Sequence, residues 1–249
     1  MTNEFEEKVV LITGAASGIG RATALAFAER GAKIVVADRR IEQGIETVAL
    51  VRKIGTEAIF VSTDVSKGNE VKNAIDKTIQ TYGRLDYASN NAGIAAPGSL
   101  TDLSETDWDY LVDVNLKGIW LCLKYEIPVM LQQGGGAIVN IASIAGVVGL
   151  KGYTAYGATK GGAIALTRGA AVEYARSKIR INAVSPGPTE TNAVKNLPPE
   201  KLAQIAAWQP IARNAQPQEI ANAVLWLCSD SASFVTGQNL IVDGGHTSW

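Results

Sequence analysis

Seven short apolar runs recur along the chain, and a stretch long enough for a helix separates each from the next. We predict these runs to be β-strands: Val9–Ile12, Ile34–Ala37, Ala58–Val61, Leu85–Ala88, Ala137–Ile141, Ile179–Val184 and Leu240–Val242. Several are continuous in valine and isoleucine, which is typical of strands covered on both faces. Repeated strand–helix–strand units favour right-handed crossovers. The sequence therefore predicts an α/β fold, a doubly wound seven-stranded parallel sheet with helices on both faces.

The intervals between the strands contain helix-length segments. We predict helices at Ile19–Arg30, Ile41–Ile54, Val71–Tyr82, Trp108–Leu131, Tyr153–Ser177 and Gln218–Cys228. No linker, charge block, low-complexity tract or internal repeat divides the 249 residues, so we expect a single domain, residues 1–249.

Residues 186–217 form the one irregular region and contain six of the eight prolines. A long excursion late in an α/β domain is typical of an active-site lid. We predict a substrate lid at about residues 188–210. The alternative, which is compatible with a lid, is a surface excursion with a short helix near Leu202–Trp208. Trp208 is either a lid side chain over the substrate or ordinary packing of that helix on the body.

Charge and polarity exclude several kinds of partner. Lysine and arginine total 23, and aspartate and glutamate total 24, so the net charge of −1 provides no basic surface for nucleic acid or anionic lipid. The most apolar stretch, Ala137–Leu150, is too short and too polar to span a bilayer. Cys122, Cys228 and the single His246 lead us to expect neither a disulfide framework nor a metal site. We therefore predict a cytoplasmic protein.

A glycine-rich turn follows the first predicted strand directly. Its sequence is Thr13-Gly14-Ala15-Ala16-Ser17-Gly18-Ile19-Gly20, and a helical pattern begins there. Glycines allow close approach of a ligand, and a helix N-terminus offers free N–H groups to a pyrophosphate. The Gly-x3-Gly-x-Gly spacing differs from the common dinucleotide fingerprint, and many tight turns contain glycine. Its place between strand and helix favours a cofactor site at Gly14, Ser17, Gly18, Ile19 and Gly20.

Asp38 ends the second predicted strand and bears on the choice of cofactor. A carboxylate there accepts hydrogen bonds from the ribose hydroxyls of NAD and repels the 2′-phosphate of NADP. Arg39 and Arg40 keep NADP open, because a guanidinium can clamp a phosphate. The alternatives are a turn residue and a solvated helix start. We predict NAD as the preferred cofactor.

Tyr156 and Lys160 lie four residues apart, on one face of a predicted helix. Tyrosine titrates near pH 10, and a nearby cation stabilises the phenolate and lowers that pKa toward the working range of a general acid and base. Ser143 follows the fifth strand, at the edge where ligands bind in open α/β sheets. The alternative is a half-buried tyrosine beside a surface lysine.

Taken together, these motifs resemble the short-chain dehydrogenase/reductase family along nearly the whole chain. The glycine turn resembles the family's phosphate-binding turn, and Asp243-Gly244-Gly245 resembles the usual ending of its last strand. The residues that match the family's catalytic tetrad are Asn115, Ser143, Tyr156 and Lys160. The resemblance implies a single-domain Rossmann fold and a competent NAD(P)-dependent alcohol dehydrogenase or carbonyl reductase.

The resemblance also implies further cofactor-binding residues. Besides the glycine turn, Asp38 with the neighbouring Arg39, Tyr156 and Lys160, they are Asp64 and Val65 at the adenine, Asn91, Ala92 and Gly93 at the adenosine ribose, and Pro186, Gly187, Thr189 and Thr191 at the nicotinamide carboxamide. Asn90 would stabilise the central sheet. Simple turn or helix-capping roles remain the alternatives for Asn90, Asn91 and Asn115.

In the implied mechanism Tyr156 exchanges a proton with the substrate oxygen, and Ser143 donates a hydrogen bond to that oxygen. Lys160 lowers the pKa of Tyr156 and binds the nicotinamide ribose. The backbone or side chain of Asn115 would hold a water that links Lys160 to solvent.

The substrate would lie among mostly apolar walls at Ile94–Pro97, Ala145–Val148, Tyr153 and the lid, which suits a secondary alcohol or ketone of modest polarity. Members of the family are commonly homotetramers, and we expect the same assembly here.

Two alternative functions remain. One is a 3-oxoacyl-carrier-protein reductase that uses NADPH, and Asp38 is evidence against it. The other is a non-catalytic nucleotide-sensing regulator. A sensor needs no proton relay, so the complete Ser143, Tyr156 and Lys160 set favours the enzyme.

Overall fold

The structure, a computed structural model, describes residues 4–191 and 198–248. Its strands are β1 (Val9–Thr13), β2 (Lys33–Asp38), β3 (Ala58–Ser62), β4 (Tyr87–Asn90), β5 (Gly136–Ile141), β6 (Ile179–Pro186) and β7 (Asn239–Val242). They form one sheet in the order β3-β2-β1-β4-β5-β6-β7, and every pair is parallel. The predicted fold class is confirmed. The strand order reverses between β1 and β4, so the carboxyl ends of these two strands open the crevice in which such sheets bind ligands.

Helices cover both faces of this sheet. They are α1 (Gly18–Ala28), α2 (Ile41–Ile54), α3 (Gly68–Tyr82), α4 (Glu105–Val112), α5 (Gly118–Gln133), α6 (Thr154–Tyr174), α7 (Pro199–Ala206) and α8 (Pro217–Cys228). On one face, side chains of α1, α2 and α8 pack against the strands around Phe27 and Ile220. On the other, α3, α5 and α6 pack around Ile127 and Ile138. Within the described residues, no helix is long and apolar enough to cross a membrane.

The fourth strand begins and ends two residues later than the predicted Leu85–Ala88. It continues through Ser89 and Asn90, which are polar and yet fully buried. The amide of Asn90 remains in the sheet because it donates hydrogen bonds to Glu126 and Asn140 inside the protein. Hydrophobicity alone therefore misplaced this strand.

The predicted helix Trp108–Leu131 is interrupted. Helix α4 ends at Val112, a five-residue π-helical turn spans Asp113–Lys117, and α5 starts at Gly118. Such π turns occur frequently at functional sites, because they displace one residue from the regular helical ladder. Here the turn contains Asn115.

The predicted lid is described only in part, because residues 192–197 lie outside the described residues. Its helix α7 spans Pro199–Ala206 rather than Leu202–Trp208. Proline at the first helical position, whose N–H has no helical partner in any case, favours the earlier start.

Candidate active site

The glycine-rich turn connects β1 to α1 in a conformation that depends on its glycines. Gly18 opens α1 with φ of +55°, in the left-handed region that other residues rarely adopt. A Cβ atom on Gly20 would lie 2.3 Å from the carbonyl oxygen of Gly14. Ser17 is the extended N-cap, and the first-turn N–H groups of α1, including that of Ile19, have no intrahelical acceptors. The turn therefore presents bare backbone donors to an anionic group.

The turns after β1 and β4 are tied together across the crevice. The Thr13 hydroxyl oxygen accepts the N–H groups of Asn91 and Ala92, each at 3.1 Å. The Asn91 side-chain amide donates to the carbonyl oxygens of Thr13 and Gly14, each at 3.2 Å. The loop that begins at Asn91 is thus held against the glycine-rich turn, as its predicted role requires.

Asp38, at the end of β2, is buried beside the same turn. Its Oδ2 accepts the N–H of Ala16 at 3.0 Å, and both of its carboxylate oxygens accept hydrogen bonds from the Arg40 guanidinium. Arg40 also donates to the Ser17 hydroxyl at 3.0 Å. Arg39 points elsewhere, since it donates to the hydroxyl of Tyr110 on α4. The guanidinium that contacts Asp38 is therefore that of Arg40.

Asp64 and Val65 follow β3 and shape the next part of the rim. The Asp64 carboxylate accepts the N–H and hydroxyl of Ser66 at 3.0 and 2.7 Å. Burial raises the pKa of Asp64, but these hydrogen bonds and the charges of Lys67 and Arg39 outweigh it and hold the pKa below its usual value. Val65 is buried against Gly118 at the start of α5.

Lys160 lies at the centre of the site and is buried. Its Nζ donates to the carbonyl oxygen of Ile141 at 2.8 Å and lies 5.8 Å from the centre of the Tyr156 ring. A Cβ on Gly93 would be 3.3 Å from Nζ and 3.2 Å from Asn115 Oδ1, so glycine leaves the room these groups occupy. Burial lowers the pKa of Lys160 to about 8.

The Asn115 side chain fastens the loop at Ile94 to the π-helical turn and to α6. Its Oδ1 accepts the N–H of Ile94, and its Nδ2 donates to the carbonyl oxygen of Ile94, both at 2.8 Å. The same Nδ2 donates to the Thr159 hydroxyl at 3.3 Å. Asn115 is fully buried. The carboxamide is therefore engaged within the protein, which leaves the backbone carbonyl as the candidate for the water-binding role expected of Asn115.

Ser143 follows β5 and caps a 3-10 turn, accepting the N–H of Ala145 at 3.1 Å. Its hydroxyl interacts with the half-buried phenol of Tyr156. Burial raises the pKa of Tyr156, hydrogen bonding from Ser143 lowers it in part, and Tyr153 raises it further. The expected lowering of this pKa by Lys160 is therefore not found, because the lysine ammonium points to Ile141 while the phenol is desolvated.

The segment after β6 closes the crevice from above the glycine-rich turn. Gly187, next to Pro186, donates its N–H to the carbonyl oxygen of Val242 at 2.9 Å. The Thr189 hydroxyl donates back to the carbonyl oxygen of Gly187, so it is engaged within the segment. Thr191 reaches the start of α1, where its Cγ2 would lie 3.1 Å from a Cβ on Gly18. Of this segment, Thr191 is therefore the residue that contacts the glycine-rich turn.

Comparison with known proteins identifies the family to which the chain is similar. A family model described as enoyl-(acyl carrier protein) reductase matches residues 14–247. Over the whole of both chains, the protein is 45% identical to a cis-4-hydroxycyclohexanecarboxylate dehydrogenase of Sinomonas cyclohexanicum. It is 42% identical to a cyclohexanol dehydrogenase of Acinetobacter sp. strain SE19, over 100% of this chain and 98% of that one.

A 3-oxoacyl-[acyl-carrier-protein] reductase of Thermotoga maritima is 40% identical over 96% of this chain and 98% of its own. Among solved structures, a levodione reductase matches with a TM-score of 0.94 and 36% identity, over 98% of this chain and 99% of that one. The chain therefore belongs to the short-chain dehydrogenase/reductase family and is an oxidoreductase that acts on CH–OH groups.

Proposed function

We propose that the chain transfers a hydride between the nicotinamide of NAD and a secondary alcohol or ketone, with Tyr156 as general acid and base. The observation that carries this proposal is the convergence of Ser143, Tyr156 and Lys160 at the carboxyl end of β5, with Lys160 Nζ 5.8 Å from the tyrosine ring. A positioned proton donor beside a buried cation is the arrangement that carbonyl reduction requires.

Each of the three side chains has a separate task in the proposed reaction. Tyr156 gives its proton to the substrate oxygen in reduction and takes one in oxidation. Ser143 donates a hydrogen bond to the same oxygen, where negative charge develops. Lys160 would bind the nicotinamide ribose and relay a proton through water held by the Asn115 backbone carbonyl. When bound, the nicotinamide supplies or accepts the hydride.

Short-chain dehydrogenases use NAD or NADP, and the crevice suits such a dinucleotide. The Gly14–Gly20 turn has no Cβ where the backbone packs closest, and the N-terminus of α1 offers N–H donors to a pyrophosphate. The loop 91–93 would line the adenosine ribose, and Thr191 would cover the phosphates from the opposite side.

We propose NAD rather than NADP on the basis of Asp38. Its carboxylate is fixed by the Ala16 N–H next to the turn, and a 2′-phosphate placed there would meet a buried negative charge. The Arg40 guanidinium, which would otherwise attract that phosphate, is paired with Asp38. A ribose diol can share the carboxylate without this conflict.

For the substrate we propose a small cyclic secondary alcohol or its ketone. A cavity of about 490 Å³ lies beside the site, lined mainly by small or apolar residues of the 145–157 segment, including Val147, Val148 and Leu150. Tyr153 lines it too, and its ring centre is 6.2 Å from that of Tyr156. Two relatives are named for six-membered ring alcohols.

The second candidate is the reduction of a 3-oxoacyl thioester with NADPH, which is favoured by the relative named for that reaction. Initial rates with cyclohexanone, a panel of other ketones and an acetoacetyl thioester, each with NADH and with NADPH, separate the two. We expect fast reduction of cyclic ketones with NADH. Fast thioester reduction with NADPH would establish the second candidate, and no turnover at all would point to a sensor.

We also propose a homotetramer. Large apolar side chains are exposed on α4 and α5, at Trp108, Tyr110 and Trp120, and Phe234 is fully exposed near β7. Burying these two separate patches against further copies would remove apolar surface from water. Light scattering coupled to size exclusion gives the mass directly, and a monomeric mass at micromolar concentration would refute the assembly.

A further inference from the structure

A row of buried polar side chains crosses the sheet below the site. Asn90 Nδ2 on β4 donates to Glu126 Oε2 on α5 at 3.1 Å and to Asn140 Oδ1 on β5 at 3.0 Å. Asn140 Nδ2 donates to the Thr167 hydroxyl on α6 at 2.9 Å. All four residues are at most 1% exposed. The row therefore links four elements by hydrogen bonds that water does not reach.

Two oxygens in this row have no donor. They are Glu126 Oε1 and Asn90 Oδ1, and both are buried. A buried polar atom without a hydrogen-bond partner destabilises the folded protein. Both N–H groups of the Asn90 amide are already engaged, by Glu126 and by Asn140. An ionised Glu126 has only acceptors, so it cannot satisfy the Asn90 oxygen.

One proton on Glu126 Oε1 would give both oxygens a hydrogen-bond partner. A carboxylic acid and a carboxamide pair through two hydrogen bonds, N–H to one carboxyl oxygen and O–H from the other to the amide oxygen. The first of these bonds is present between Asn90 and Glu126. The second requires the proton to lie on Oε1.

The surroundings of Glu126 favour the neutral acid. Burial raises its pKa to about 7, although the Asn90 hydrogen bond lowers it in part. The titratable neighbour on α5 is Cys122, one turn earlier, and burial keeps its thiol neutral as well. The strands and α6 contribute Asn90, Asn140 and Thr167, and none of these titrates.

The row meets the active site at three places. Asn90 immediately precedes Asn91, whose amide holds the glycine-rich turn. Asn140 immediately precedes Ile141, whose carbonyl oxygen accepts Lys160. Thr167 lies on α6, two turns after Lys160. Movement in the row would therefore reach the dinucleotide crevice.

We propose that Glu126 is a positioning residue: it holds a proton on Oε1, donates it as a hydrogen bond to Asn90 Oδ1, and thereby fixes the loop 91–93 for cofactor binding. Ionisation of Glu126 breaks this pair and places a negative charge against an amide oxygen. The effect on cofactor binding rests on the proposed function, whereas the protonation of Glu126 does not.

Carbon NMR of protein labelled at the glutamate carboxyl carbon tests the proton directly. At pH 6, ordinary glutamates are ionised. We expect one protonated carboxyl signal at that pH, which titrates near pH 7 and is absent from Glu126→Gln. If every glutamate signal of the wild type is ionised at pH 6, the proposal is wrong. This refuting outcome is read from the wild-type protein alone, so it does not depend on whether the variant folds.

NAD(H) dissociation constants between pH 6 and 7.5, a range below the pKa of about 8 of Lys160, test the positioning role. We expect affinity in the wild type to fall about threefold across this range, equivalent to under 1 kcal/mol. Glu126→Gln, whose amide supplies the same donor at every pH, should remain flat, whereas Glu126→Leu should bind weakly throughout. The exposed Glu105→Gln serves as the matched control.

A Gln variant that keeps the wild-type pH dependence would refute the positioning role. A protein that binds neither NAD nor NADP would instead refute the proposed function, while the NMR result would still decide the protonation of Glu126.

Discussion

Lys160 Nζ donates a 2.8 Å hydrogen bond to the carbonyl oxygen of Ile141, the last residue of β5. The bond joins α6 to the sheet two residues before Ser143, and thus sets the distance between the serine and the helix that carries Tyr156. It also places a charge where water does not stabilise it, since burial lowers the pKa of Lys160 to about 8. A buried cation with a perturbed pKa in a crevice is typical of a residue retained for chemistry.

Replacing this charge should stabilise the protein and inactivate it. The pKa of Lys160 falls from 10.5 in the unfolded chain to about 8 in the folded protein. Burying the protonated ammonium therefore lowers the free energy of unfolding, and this destabilisation is fully present below pH 8. We expect Lys160→Met to raise the free energy of unfolding at pH 7 by about 2 kcal/mol and to abolish turnover. The gain should shrink as the pH rises from 8 toward 10.5. Urea unfolding at pH 7 and 9.5 measures it, and a destabilised variant would contradict the expectation.

Tyr156→Phe removes the phenolic hydroxyl and keeps the aromatic ring. We expect kcat for ketone reduction to fall by about 10²–10⁴-fold, the usual contribution of general acid catalysis. The dissociation constant for NADH, measured by fluorescence titration, should stay within about twofold, a difference of only about 0.4 kcal/mol. Turnover equal to that of the wild type would exclude Tyr156 as the acid.

Asp38→Ala should shift the cofactor preference toward NADP. The change removes a buried negative charge and releases Arg40 to pair with a 2′-phosphate. We expect kcat/KM with NADPH to rise and that with NADH to fall, each by about tenfold, or about 1.4 kcal/mol. The matched control is Glu42→Ala, which removes an exposed carboxylate from the first turn of α2. An equal shift in the control would mean that net charge, and not the Asp38 contact, sets the preference.

Alanine substitutions at two helical glycines, Gly20 and Gly169, distinguish a steric clash at the cofactor site from a general effect on helix propensity. A Cβ on Gly20 would clash with the Gly14 carbonyl oxygen at 2.3 Å, whereas one on Gly169 of α6 meets no atom within 4 Å. We expect Gly20→Ala to weaken NADH binding more than about tenfold, over 1.4 kcal/mol. Gly169→Ala should leave binding intact and stabilise α6 by about 0.5–1 kcal/mol. Unchanged NADH binding in Gly20→Ala would place the cofactor elsewhere.

The sequence predicts the fold because its strands are marked by continuous apolar runs and its first turn by closely spaced glycines. Tyr156, Lys160 and Ser143 were found in the same way, since helical spacing and the end of a strand place them at one edge. The departures arise where polar groups are satisfied inside the protein. Asn90 extends β4 because Glu126 and Asn140 accept from its amide, a partnership across 36 and 50 residues that periodicity does not reveal.

Among the expected cofactor-binding residues, position also follows from the sequence while the hydrogen-bond partners do not. Asp38 lies beside the turn as expected, but the pairing of Arg40 in place of Arg39 depends on which side of the chain each guanidinium leaves. The direction of the Tyr156 pKa depends on burial and on where the Lys160 ammonium points, neither of which the i, i+4 spacing determines. Local pattern therefore finds the participants, and tertiary packing decides their partners.

The Asn115 carboxamide forms hydrogen bonds with the backbone N–H and carbonyl groups of Ile94, and not with its side chain. Every residue except proline has these two backbone groups, so the two hydrogen bonds do not depend on which side chain is at position 94. The Ile94 side chain itself packs against the buried cluster that includes Val65 and Val114. The loop is therefore held twice, by its backbone on Asn115 and by its side chain on this cluster, and a substitution at position 94 would alter the second contact without removing the first.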